Sequence, residues 1–434
     1  MESLAEYIDN VIIPRYAAFD AAHREPHVRK VIAQALALAE HYEVSRDILL
    51  AAAAFHDLGL AEGRELHHKV SGRMVRSDKT LRRWFSPEEI ELIAQAAEDH
   101  RASAKEPPRS IYGRIIAEAD RQIEPDTVIR RTVQYGFSHY PEMNRSQMRE
   151  RAFAHLEEKY GEGGYLKLWI PESQNAEKLA DLRRIIADKE KLRTAFDAVY
   201  REEKYGPLVC SRFRDDPAYR RGHINIVAAK EGTVIIGLHT PQMKALAKEN
   251  ASRDDWRDIL QDLADTPACS PLSHDERIIW GLTIDRVKCG ITERLELTDK
   301  FLPHVDNWAI CDTFCCNAKW AAKAKDREAV RDYVLGLLRS ESEFTRRTGI
   351  VLLMCNFLTE SDIERTFDAI SSMSLHQGEP YYVRMAVAWL LATALAKFPE
   401  QTVRYVGTSA LPDDIKALYV RKAKESRRTR ELFR

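Results

Sequence analysis

The sequence has no apolar run approaching the ~18 residues that a membrane-spanning helix needs, so no span is expected. Its start, Met1 to Tyr7, carries acidic residues and no apolar block, which predicts the absence of a secretory leader. Charge of either sign is not in excess. The 66 Lys+Arg and 67 Asp+Glu leave a net charge of −1, so no global basic field advertises a nucleic-acid partner. The balance is similar in both parts: 36 basic against 34 acidic residues from position 201 onward, and 30 against 33 before it. Any polyanion must then be held by local clustering, as at Arg421, Lys422, Lys424, Arg427, Arg428 and Arg430, a run that equally suits a solvated helix end. The seven cysteines form no Cys-x-x-Cys pair with partners. An odd count in a long chain indicates reduced thiols and a cytoplasmic setting in place of a disulfide framework. Cys311, Cys315 and Cys316 read as buried thiols. No β-hairpin signal is present.

What remains is an ordinary hydrophobic share, 44%, spread over 434 residues. That length exceeds what one core usually organises and predicts two domains. Nearly every segment reads as helix. Val28, Val31, Ile32, Ala35, Leu36 and Ala39 recur at helical spacing. Residues 47–56 form an Ala-rich apolar helix. Ser86-Pro87-Glu88-Glu89 is a helix start with Ser at the N-cap and Pro at the first position. A helix carries Ile115, Ile116, Ala119 and Asp120. Gly161, Gly163 and Gly164 open a long loop, and residues 175–203 predict one charged amphipathic helix. The boundary is expected near Gly206-Pro207, dividing the chain into 1–205 and 206–434. Beyond it, successive 10-to-16-residue amphipathic helices broken by prolines predict stacked helical hairpins. The fold class is all-α throughout.

The Ala-rich helix runs into His56-Asp57, followed by Leu58-Gly59. Adjacent imidazole and carboxylate suit one divalent cation where a helix ends and both side chains turn the same way. His27 upstream and Asp120 downstream can complete the set, with His68 and His100 between them. This order resembles the HD-domain metal-dependent phosphohydrolases over most of residues 20–125. His68-Lys-Val-Ser-Gly72 matches that family's His followed four residues later by Gly, and His100-Arg101 its later His. On that register His23 and His67 are left out. The resemblance implies a helical bundle with one or two divalent ions (Mn, Mg, Fe, Ni or Zn) on His27, His56, Asp57, His68, His100 and Asp120, Asp57 serving catalysis, and a nucleotide or other phosphate ester as substrate. Lys69, Arg73, Arg101, Arg114 and Arg121 are phosphate-binding candidates among which the sequence does not choose. A minority of HD-like proteins use iron for oxygen chemistry.

In the second half, Trp308 and Asp312 lie four apart on one helix face, and an aromatic surface beside a carboxylate suits a cation. Arg347 and Trp389 follow on later helices. With Gly237-Leu-His-Thr-Pro241, Arg346-Arg347-Thr-Gly-Ile350 and Tyr382 to Trp389, the set resembles the AlkD-like DNA alkylation-repair glycosylases, built of HEAT-like repeats, from about 217 to 434. That resemblance implies excision of N3- or N7-alkylated purines from duplex DNA. Asp312 would stabilise positive charge on the sugar, Trp308 and Trp389 would contact the backbone and deoxyribose, and Arg347 would hold a phosphate. The alternative is a non-catalytic repeat scaffold that binds nucleic acid or protein.

Overall fold

The computed structural model describes residues 2–19, 23–103 and 106–430. Among them are 23 α-helices, joined by short 3-10 turns and loops, and no β-strand. Among the described residues no helix is long and apolar enough to cross a membrane. The chain divides into two compact units, one of residues 1–143 and 147–200, the other of residues 144–146 and 201–434.

In the first unit, α1 (Leu4–Tyr7) precedes a bundle of α2 (Glu25–Leu38), α3 (Arg46–Phe55), α4 (His67–Ser77), α5 (Pro87–Asp99) and α6 (Ile111–Ala119). Helix α3 is its axis. Ser45 caps it by accepting from Ile48 N, and it packs on α2, α5 and α6. Leu49 and every residue from Ala51 to Phe55 are fully buried. A helix apolar all round has to be enclosed, and its alanines let three neighbours approach closely. Burial of Ile48, Leu49 and Phe55 contributes about 1.5–3 kcal/mol each. The start of α5 is the expected one: Ser86 and Glu89 form a reciprocal capping box, with Pro87 at the first position.

A second apolar cluster in the same unit is built by α7 (Pro125–His139), α8 (Arg145–Tyr160), α9 (Asn175–Ala187) and α10 (Lys189–Tyr205). The helix expected over 175–203 is two helices. Asp188, in an extended conformation, accepts from Lys191 N at 3.1 Å, and an Asp in that position caps a new helix more readily than it continues an old one. The loop before α9 is fastened to α6 by the fully buried Glu118, which accepts from Trp169 N at 2.7 Å and from the Asn175 amide at 2.9 Å.

The second unit opens with α11 (Ser211–Asp215) and α12 (Pro217–Val227). One layer stacks α13 (Thr240–Ser252), α15 (His274–Arg286), α17 (Trp308–Asn317), α19 (Glu343–Asn356), α21 (Tyr381–Lys397) and α23 (Asp413–Glu425), each on the next. The intervening helices α14 (Trp256–Ala264), α16 (Ile291–Phe301), α18 (Arg327–Leu337), α20 (Ile363–Ser371) and α22 (Pro399–Thr408) complete the hairpins. The stack is the all-α repeat architecture that the amphipathic periods predict. Its entry is tied by the buried Asp275, whose carboxylate accepts from Ile236, Gly237 and Leu238 N at 2.7–3.1 Å. Gly237 is required there: its φ is +90°, and a Cβ would lie 2.2 Å from the Phe213 ring. Ion pairs link successive repeats, among them Asp312–Arg347 at 2.8 Å, Arg346–Glu379 at 2.8 Å and Arg384–Asp414 at 3.0 Å.

His274, at the start of α15, is 3% exposed. Burial, reinforced by Arg277, pushes its pKa down to about 4. It is therefore neutral in both the folded and the unfolded chain above pH 6.5. Below that value the unfolded chain takes up a proton that the folded one refuses, so stability falls progressively until pH reaches about 4. The loss from this group is at most about 3 kcal/mol. We expect His274→Gln to lose less stability than wild type between pH 7 and pH 4.5 in urea unfolding; parallel losses would remove His274 as a cause.

Candidate functional site

The C-terminal end of α3 points its last turn at a cluster of imidazoles and carboxylates. His56 and Asp57 follow directly on the buried helix and are 0% and 4% exposed. His27 comes from α2, His67 from the start of α4, His100 from the end of α5 and Asp120 from the end of α6. The His27 Nε2 atom lies 3.3 Å from His56 Nε2, 3.4 Å from Asp57 Oδ2 and 3.3 Å from Asp120 Oδ1. His56 Nε2 is 3.3 Å from Asp57 Oδ2. The other oxygen, Asp57 Oδ1, faces His67 Nε2 at 3.5 Å and His100 Nε2 at 3.4 Å, and those two ring nitrogens are 3.1 Å apart. His27, His56 and Asp57 thus form one group that could hold a metal ion, and Asp57, His67 and His100 a second.

At His56, His67 and His100 the opposite ring nitrogen shows why Nε2 is the available one. Nδ1 of His56 donates to Ala53 O at 2.7 Å, that of His100 to Ala97 O at 2.6 Å and that of His67 to Arg64 O at 2.7 Å. The Gln122 amide lies 2.9 Å from His27 Nδ1. A backbone carbonyl that fixes the proton on Nδ1 leaves the Nε2 lone pair facing inward. Lone pairs and carboxylate oxygens gathered at these separations repel unless a proton or cation lies among them. Ligands at ~2.0–2.2 Å from one ion are separated from each other by about the distances seen here, so the donor set fits a metal.

The electrostatics agree. Burial opposes the charged form of Asp57, but His56, His100 and His27 outweigh it and hold the carboxyl well below the usual range. Burial opposes a charged His27, and Asp120 and Asp57 overcome it, raising its pKa to about 9. Burial, followed by the neighbouring His100, lowers the pKa of His67.

The close packing beneath the cluster depends on Gly59, two residues past Asp57. A Cβ there would sit 1.9 Å from His67 O, and its N–H donates to Ser71 Oγ at 2.9 Å. Only glycine lets the loop after α3 lie against the first turn of α4.

The structure brings together His27, His56, Asp57, His100 and Asp120. It differs from the sequence expectation at His68, which joins neither group; its Nδ1 is buried without a partner, and burial with Arg101 pushes its pKa down to about 4. His67 takes that position. Successive helical residues are about 100° apart, so only one of the two rings can face Asp57. Ser71, at i+4 from His67, is bonded to Gly59 and lies on the same face of α4. Gly72, at i+4 from His68, is instead where α4 meets Glu98 of α5, whose side chain a Cβ would strike at 2.4 Å. Of the phosphate-binding candidates, Arg73 pairs with Glu62 and Arg101 donates to Glu65 O.

In the second unit, Asn307 caps α17 by accepting from Ala309 and Ile310 N. Trp308 follows, half-buried, with its indole N–H donating to Ile226 O at 2.9 Å. One turn on, both Asp312 oxygens accept from Arg347, at 2.9 and 2.8 Å. Arg347 also donates to Tyr382 O at 2.9 Å and is only 4% exposed. Burial opposes its charge, and Asp312 more than restores it. The arginine expected to hold a phosphate is therefore engaged inside the repeat. Trp389 packs half-buried against the core of the stack, with no hydrogen bond or ring contact to the other three. Cys311 and Cys315 are buried as expected, but Cys316 is exposed, its sulfur 3.7 Å from that of Cys355.

Comparison with protein families matches residues 24–122 to the HD domain and residues 218–426 to the DNA alkylation repair enzyme family. No curated protein and no solved structure matches the chain. The bundle that carries the His/Asp cluster is thus an HD domain, and the repeat stack that follows it is a DNA alkylation repair enzyme domain.

Proposed function

We propose that the first unit is a metal-dependent phosphohydrolase acting on a nucleotide or other phosphate ester, and that the second acts on DNA bearing N3- or N7-alkylated purines. The first half is supported by one observation above the rest: four Nε2 atoms and two carboxylates converge while the far ring nitrogens are already engaged. In this reading His27, His56, Asp57 and Asp120 would hold one divalent cation, and Asp57, His67 and His100 would hold a second. Divalent cations in such a site acidify water and neutralise charge on phosphoryl oxygens. A set this rich in imidazole favours zinc, iron or nickel over magnesium.

The chain's own contribution is preorganisation. The carbonyls of Ala53, Arg64 and Ala97 fix the imidazole tautomers. The Tyr16 hydroxyl donates to Ala54 O at 2.9 Å, bracing the last turn of α3 beneath His56 and Asp57. Burial of His56, Asp57 and His100 strengthens the charge interactions among them.

For the second unit, the family match supports the DNA reading, as does the placement of Trp308 and Asp312 within one turn of α17. Asp312 is the charge available to a cationic sugar, and Arg347 is the residue that positions it. The scaffold reading is favoured by a different observation: the Trp308 N–H and both Asp312 oxygens are already bonded within the repeat.

Elemental analysis of the purified protein should find up to two equivalents of transition metal per chain. Asp57→Ala should lose them and at least ~100-fold of its activity across a phosphatase panel; equal activity in the two proteins defeats the hydrolase reading. His67→Ala should shed one equivalent, whereas His68→Ala keeps the wild-type content, and the reverse result would restore His68 as the ligand. Wild type should release base from N7-methylguanine duplex DNA, with Asp312→Asn reducing release ~100-fold or more. Duplex binding without release by wild type would establish the scaffold reading.

A further inference from the structure

Beside the His/Asp cluster lies a cavity of about 200 Å³ lined by His27, Asp120, Arg121, Arg131, Lys159 and Tyr160 among others. Arg131 is on α7 and Lys159 on α8, helices that lie beyond the 24–122 match and follow the bundle in sequence. Asp120 is the single acidic residue among the described residues that line the cavity. Three cationic side chains therefore face one small space, one wall of which is the metal-ligating candidate His27–Asp120 edge.

This grouping is electrostatically costly. Arg121 is 6% exposed, and although one of its nitrogens donates to His100 O at 3.0 Å, its Nε is buried with no hydrogen-bond partner. A buried guanidinium N–H without an acceptor loses its hydration for nothing in return. Burial lowers the pKa of Lys159, and Arg121 and Arg131 lower it further. The Lys159 ammonium sits 5.0 Å from the Tyr160 ring centroid, and neither it nor Arg131 has an ion pair among the described residues. An anion in the cavity would supply the missing acceptors and offset the mutual repulsion.

We propose that this cavity is a phosphate subsite in which Arg121, Arg131 and Lys159 bind the terminal dianionic phosphate of a phosphomonoester and present it to the His/Asp cluster. The proposal rests on the phosphohydrolase reading of the first unit and gives it a substrate class. Three cations match a dianionic monoester better than the single charge of an internal diester. The volume, that of roughly six or seven waters, admits a phosphate and a few atoms of its ester, not a polynucleotide strand. Arg131 and Lys159 bind and orient phosphate; they do not ligate metal.

The full-length protein is titrated calorimetrically with inorganic phosphate, before and after loading with Mn²⁺, as wild type, Arg131→Gln, Lys159→Gln and, as a control, the exposed Lys79→Gln. Both cavity substitutions should weaken phosphate binding about tenfold, the size of one charge-assisted contact, with metal content and thermal unfolding unchanged and Lys79→Gln behaving as wild type. Turnover of p-nitrophenyl phosphate should fall in parallel in kcat/KM, and bis(p-nitrophenyl) phosphate should be processed at least tenfold less well than the monoester by wild type. Unaltered phosphate affinity in both variants, or a preference for the diester, overturns the proposal. A chain that takes up no metal and turns over neither ester, yet loses phosphate binding through Arg131 and Lys159, would keep the anion subsite and remove the hydrolysis reading.

Discussion

The enclosure of α3 is the constraint from which the candidate centre follows. A helix with no polar face can exist only when neighbours cover it on every side, and its alanines set how closely they come. The start of α2 and the ends of α5 and α6 therefore lie near the place where α3 ends. His56 and Asp57 sit at that point, so His27, His100 and Asp120 arrive without any long-range search. The carbonyls left over at the ends of α3 and α5 then accept from the imidazoles, converting the unsatisfied groups of a helix terminus into the parts that orient a ligand.

The same economy shapes the repeat stack. Its stacked helices are joined by charged pairs that are mostly buried, and a pair of this kind is destabilising to break although not strongly stabilising to have. Asp312–Arg347 is one of the series, which means that a residue suited to chemistry also serves as a joint between α17 and α19. A carboxylate held on both oxygens by a guanidinium is precisely located but partly neutralised. Whether such a group acts on a cationic sugar depends on how much of its field escapes the arginine, and that sets the balance between the catalytic and scaffold readings.

Much of this was legible in residue order. The apolar run before His56, the capping residues at Ser45 and Ser86, and the spacing of His27, His100 and Asp120 are local signals, and local physics fixes helices and their ends. The misplaced residue was His68. Choosing between neighbouring histidines requires the rotational phase of α4 relative to Asp57, and that phase is set by Gly59, which lies against the His67 backbone and bonds to Ser71, twelve residues further along the chain. The break at Asp188 was missed for a related reason, since amphipathic periodicity continues across it. Arg131 and Lys159 gave no signal at all: each is one charge among many until α7 and α8 are placed.

The order of residues by itself determined an all-α chain, the helix that must be buried, and the adjacent imidazole and carboxylate at its end, because propensity, capping and periodicity act over a turn or two. Tertiary structure alone decided which histidine of a neighbouring pair faces Asp57, that Arg347 pairs with Asp312, and which cations gather around one cavity. Those outcomes depend on the angular phase and approach of separate helices, and a linear sequence encodes these only through the packing of the whole.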